Sequence, residues 1–383
     1  MSRGTEGATW PGAWALGCVI GLTFLLLALI TAVIAQVLPT AVSGRSVAFA
    51  ALGLFFLLRA VADAKDISWL NALTPLGLRA LAAPFAGNHW GTLAAAGGAC
   101  AALGSAALGL GARRDLGAGW LRPRARTARR LAVRSVLGLQ RRLVGGSTLA
   151  WTLGLVCGGA AFIALGSSAV TATREGHVNS GFLGAQIGTT DPAAGYLGYT
   201  GTIIGIVAGV YAVLTVLGLA ADETAGRAAQ VLATGASRAR LLTATLAASG
   251  LGTLLALTLT ASAAALVAPR TLTGDHVAGQ AFTQVIGQWP ALLALVGLTG
   301  LAVGAGPRWR HLAWLPLALS AFLALLGKLL KLPKAVIDLG LFQHVPRLGS
   351  LGTPWPLAVL VALAALSAAG GLCFFLTRDL ANG

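Results

Sequence analysis

The chain has 383 residues, of which 56% are hydrophobic and only 10% charged, with a mean hydropathy of +0.81. A soluble domain carries roughly 25% charged residues, so this chain lacks the polar material to cover a water-exposed surface of its own size. The net charge of +16 does not point to nucleic acid, because ten arginines fall in one stretch, Arg113 to Arg142, between two hydrophobic blocks; basic residues so placed mark a cytoplasmic loop.

Nine apolar blocks follow along the chain, near 13–38, 46–62, 92–112, 149–171, 200–220, 241–268, 289–304, 311–327 and 356–377. Most approach the ~20 residues a helix needs to cross a bilayer. The expected fold is therefore all-α, a polytopic transmembrane bundle of about nine spans. Trp10, Trp14, Trp90, Trp151, Trp289, Trp309, Trp314 and Trp355 stand near block ends, where amphipathic rings prefer the headgroup level. The 52 glycines suit helices packed closely in lipid. The first block lacks a clear small-residue cleavage site and is too long for a signal-peptide core. Cys18, Cys100, Cys157 and Cys373 lie in apolar stretches without metal-ligand spacing.

With the arginine-rich segment placed in the cytoplasm, residues 113–148 face inward and 172–199 face outward. The inner side then collects seventeen of the 27 basic residues. The same alternation puts residue 1 outside. A weak internal repeat accompanies this: Arg114-Asp115-Leu116 closes the third block and Arg378-Asp379-Leu380 closes the last, 264 residues on. Each ending follows a span, a short Pro-containing non-spanning segment and another span, and such repeats are common in transporters. The expected division is a partial first transmembrane half of three spans (1–119), a cytoplasmic basic linker (120–148) and a six-span second half (149–383). Three spans preceding Met1 would equalise the halves and return the N-terminus to the cytoplasm.

The segment Ala221 to Leu242 is the most informative stretch between two spans. It reads as a short cytoplasmic helix, with Asp222 and Glu223 in its first turn, where carboxylates complement the helix dipole. Ala225, Ala228, Ala229 and Leu232 form a narrow apolar stripe on that reading. Thr234 to Ser237 ends the helix, Ser237 caps the next one, and Arg238 and Arg240 follow at the membrane surface. Such a helix suits docking on a cytoplasmic motor; an interfacial helix lying on lipid is the competing reading.

These residues resemble the coupling helix of the actinobacterial ABC-2-type permeases known as exporters of polyketide antibiotics. The acidic pair Asp222-Glu223, then Gly226-Arg227, Leu232-Ala233-Thr234 and Ser237-Arg238, keep the family's order. So do Arg114 to Gly119, Leu137-Gly138-Leu139, and the tail with Pro333, Asp338, His344-Val345-Pro346 and Arg378-Asp379-Leu380. The resemblance implies an ATPase-coupling helix over 221–240 that uses Asp222, Glu223, Ala225, Arg227, Ala228, Ala229, Leu232 and Arg238. It also implies a cytoplasmic ABC ATPase as partner, which binds ATP and magnesium, while this chain binds no cofactor or metal. Full members have two six-span halves, so a second permease chain is a further expected partner. No G-x-x-x-x-G-K-[ST] phosphate loop occurs, which places any ATP hydrolysis on a separate subunit.

Asp63, Asp66 and Asp338 lie near block ends and are the candidate proton sites of an alternative, ion-coupled transporter. Lys65, Lys331 and Lys334 stand near them, and Arg59 is placed i, i+4 from Asp63. A solvated or ion-paired helix end is the more economical reading of each. His177, Glu175 and Asp191 in the loop 172–199 lack metal spacing, and no nucleophile–base arrangement is evident. A non-transporting structural membrane subunit is the third reading.

Overall fold

The computed structural model describes residues 9–38, 41–65, 67–112, 135–167, 170–171, 191–274, 276–344 and 355–378. Among these residues the chain is helical, with no strand, and eight helical stretches are long and apolar enough to cross a membrane. The chain is a multi-pass membrane protein. It divides into two compact units, residues 1–131 and 132–383.

In the first unit, α1 (Trp10–Val37), α2 (Ala41–Lys65) and α4 (Trp90–Ala112) are the long helices, and the short α3 (Leu78–Ala82) precedes α4. The second expected block is thus the 25-residue α2, which at ~1.5 Å per residue reaches ~37 Å. Thr9 caps α1 by accepting from the Gly12 amide, and Pro11 sits where its missing N–H costs nothing. The α1 and α4 helices run parallel. Leu29 lies against Gly104 and Gln36 against Gly111, and Ala15, Val19, Leu26, Leu93, Ala96 and Cys100 form the core between them.

The second unit contains α5 (Val136–Ala164), α6 (Pro192–Thr224), α7 (Arg227–Leu232), α8 (Arg238–Thr271), α9 (Val277–Ile286), α10 (Trp289–Ala305), α11 (Leu315–Leu326), α12 (Lys334–Ile337) and α13 (Trp355–Thr377). Caps set the starts: Ser135 for α5, Asp191 for α6 and Ser237 for α8 each accept from an amide three residues on. Ser237 is the cap expected from sequence. Asp191, grouped with His177 and Glu175 in the sequence, caps a helix; the other two lie outside the described residues.

Glycine spacing decides the packing. Gly201, Gly205 and Gly209, four apart, bring α6 onto Gln284 of α9, Gln288 between α9 and α10, and Leu295 of α10. Gly297 and Gly304 of α10 meet the backbone of Ala364 and Gly371 in α13, Gly371 also lies against the Gly300 carbonyl, and the open side of Gly300 faces Leu246 of α8. In lipid no hydrophobic force separates one apolar contact from another, so such close backbone approach is what selects partners. Leu251, Leu255 and Leu259, at i, i+4 and i+8 of α8, stay exposed as a lipid-facing stripe.

Contacts fix the directions. Tyr211 of α6 meets Thr148 of α5 while Tyr196 donates to the Phe162 carbonyl, so α6 is antiparallel to α5. The α10 and α13 helices run parallel, since Gly297 faces Ala364 and Gly304 faces Gly371. One end of the unit therefore gathers the N-termini of α5 and α8, the C-termini of α6, α10 and α13, and α7.

Candidate functional site

The polar segment after α6 differs from the sequence expectation. Asp222 and Glu223 do not open a new helix; they lie in the last turn of α6, which ends at Thr224. Gly226, at φ +70°, terminates it, with its amide bonded to the Glu223 carbonyl. Only then does the six-residue α7 begin, at Arg227. Gly235, at φ +86°, reverses the chain before Ser237. The left-handed geometry at both positions explains why glycine stands there.

A carboxylate at a helix C-terminus opposes the helix dipole, and each acid has its own remedy. Asp222 pairs with Arg227 across the break at 2.7 Å. Glu223 turns inward, its side chain 3% exposed, and meets Arg378 at the end of α13. Two bonds of 2.6 and 2.7 Å join the guanidinium to the two carboxylate oxygens, the forked geometry that makes such pairs strong.

Arg378 satisfies more than Glu223. Its Nε donates to the Gly304 carbonyl at 2.8 Å, at the C-terminal end of α10, and it lies over the Phe375 ring. Its own carbonyl accepts from Arg238 in the first turn of α8 at 2.8 Å. One cation thus sits where the C-termini of α6, α10 and α13 converge, each with unpaired carbonyls and a negative dipole end. Sequence reasoning placed Arg378 in the repeated Arg-Asp-Leu ending and missed its pairing with Glu223. A carboxylate bordered by apolar helix on one side needs a cation at the same membrane end, and Arg378 closes a span there.

The apolar stripe also needs correction. Ala228 is buried and Leu232 half-buried against a core of Ala212, Val216, Leu219, Leu241 and Leu242. Ala225 and Ala229 are exposed. The break at Gly226 rotates Ala225 out of register, so the four residues do not share a face. Beside α7 lies a groove of about 820 Å³ lined by Ser135, Leu139, Val231, Thr234, Gly235 and Arg240, among others.

Of the membrane-boundary acids, Asp63 pairs with Arg59 at 2.9 Å, as the i, i+4 spacing predicts. Arg59 also donates to Asn71 at 2.5 Å. Asp338 is exposed after α12, and Asp66 lies outside the described residues. Glu223 is the one buried acid among the described residues, and it is paired.

The bundle and its polar end define a multi-pass helical membrane protein. The family described as the multidrug efflux system permease Rv1217c, C-terminal domain, matches residues 133–375. The chain is 34% identical over 384 residues to the multidrug efflux system permease protein Rv1217c of Mycobacterium tuberculosis (strain ATCC 25618 / H37Rv), an alignment covering 95% of this chain and 67% of that protein. The chain belongs to this permease family.

Proposed function

We propose that the chain is the membrane-spanning permease subunit of an ABC-type exporter that moves hydrophobic drug-like molecules, polyketides among them, out of the cell. A separate ATPase carrying ATP and magnesium supplies the energy and docks at α7. The observation that carries this reading is the position of α7: a short helix at one end of the unit, anchored through Ala228 and Leu232, with Arg227 and Ala229 exposed. The bundle alternates between two packings, biased by the motor through that helix. The name of the relative supports drug efflux as the task. A second permease chain completing the pathway is part of the proposal.

The test is co-expression with candidate ABC ATPases, purification through a tag on the permease, and ATP-driven uptake of a hydrophobic dye into inside-out vesicles. Stable recovery of an ATPase with ATP-dependent uptake is expected. Uptake driven by a proton gradient without ATP would favour the ion-coupled alternative.

A further inference from the structure

We propose that the Glu223–Arg378 pair is the joint that passes movement of α7 into the α10–α13 pair, making both side chains positioning residues for coupling. This rests on the reading of α7 as the ATPase contact.

The connectivity states the problem. Along the chain, α7 is tied only to α6 and α8: two residues separate it from α6, and five lie between it and α8. Neither α10 nor α13 follows or precedes it. Yet α10 and α13 pack backbone to backbone at Gly297, Gly300, Gly304 and Gly371, so they move together. The α6 and α8 helices touch this pair through apolar contacts, Gly209 against Leu295 and Leu246 against Gly300, which leave the helices free to slide.

The polar bridge closes the gap at the right end of the bundle. Glu223 lies three residues before Gly226 and grips the Arg378 guanidinium. Arg238, the first residue of α8 after its cap Ser237, grips the Arg378 carbonyl. Arg378 then holds the Gly304 carbonyl. Both helices that flank α7 therefore hold one residue at the end of α13, and that residue holds α10. Directional, charged bonds resist sliding, which greasy contacts between the same helices would permit. Burial of an ion pair is an inefficient route to stability alone, because apolar residues of similar volume often do as well; a mechanical role accounts for what packing does not require.

The experiment uses the permease co-expressed with its ATPase and reconstituted in proteoliposomes of bacterial lipid. Glu223→Gln, Arg378→Lys and the double variant Glu223→Gln/Arg378→Gln are compared for ATPase stoichiometry, ATP hydrolysis and ATP-driven accumulation of a hydrophobic dye. Expected in Glu223→Gln is retained ATPase and hydrolysis within about twofold of the parent, with dye transport per ATP reduced at least tenfold. Arg378→Lys falls between, since it keeps the charge and loses the fork. The double neutral variant stays uncoupled. A merely structural pair predicts that hydrolysis and transport fall together, or that the double variant recovers wild-type transport per ATP; either result overturns the proposal. Loss of the ATPase from Glu223→Gln overturns it too, by giving the pair a docking role. Failure of the parent permease to retain any ATPase would instead sink the functional reading beneath it. Where Glu223→Gln does not yield folded complex, Arg378→Lys decides by the same criteria.

Discussion

Gly304 of α10 and Gly371 of α13 meet backbone to backbone, so a β-carbon on Gly304 would collide with the Gly371 carbonyl oxygen. The Gly304 carbonyl also holds Arg378. Gly304→Ala is expected to push the helices apart and pull that acceptor away, at a cost of about 1–3 kcal/mol for overpacking. Gly218 of α6 is an internal control, since it is exposed and a β-carbon there meets nothing within 4 Å. Gly218→Ala should be neutral or slightly stabilising, because alanine is the better helix former. Thermal unfolding of the detergent-purified chains checks both, and equal melting temperatures would refute the close-packing argument.

Asp63 offers a test of the ion-coupled alternative. Its side chain is half exposed and its partner Arg59 keeps a second bond to Asn71. Exposed pairs contribute about 0–1 kcal/mol. Asp63→Asn should therefore leave both stability and export near the parent level. A protonophore added with ATP held constant should change export just as little. Loss of export in both experiments would make Asp63 a proton site.

Much of the fold was legible because lipid imposes simple rules. Block lengths, flanking tryptophans and glycine content located the helices from Trp10–Val37 to Trp355–Thr377. In the first unit α1 and α4 run parallel, with the α2 helix and short helical turns between them; in the second, α10 and α13 run parallel with α11 and α12 between them. The details at the polar end were not legible. Periodicity cannot show that Gly226 adopts a left-handed conformation, and that one torsion moves the acidic pair from the start of a helix to the end of another. Nor can local spacing show that Glu223 meets a residue 155 positions away. Pairing at that range is decided by which helix ends coincide.

Sidedness follows from the directions of α6 and α8. Thr234, after α7, and Thr273, after α8, are both exposed and stand at opposite ends of the 34-residue α8. That helix is ~50 Å long at 1.5 Å per residue, more than the ~30 Å hydrocarbon core. In a chain whose native cysteines are replaced, Thr234→Cys should react with an impermeant maleimide only from the cytoplasmic side. Thr273→Cys should react only from outside. Labelling of both from one side would refute the crossing assigned to α8.

Docking at α7 makes the most specific demand. Ala229 is exposed while its neighbour Ala228 is buried in the core of the second unit. A glutamate at position 229 would therefore leave the fold intact and place its charge on the surface offered to the motor. If that surface is covered by the ATPase, the carboxylate loses its water without gaining a partner, which costs several kcal/mol. Even ~3 kcal/mol weakens binding more than a hundredfold. Ala229→Glu is expected to express and unfold like the parent, lose the ATPase on purification and lose ATP-driven dye transport. Ala228→Glu should behave differently, burying its charge among Val216, Leu219 and Leu241 and lowering expression itself. Retention of the ATPase by Ala229→Glu at parental stoichiometry would remove α7 from the interface and return it to a helix resting on lipid.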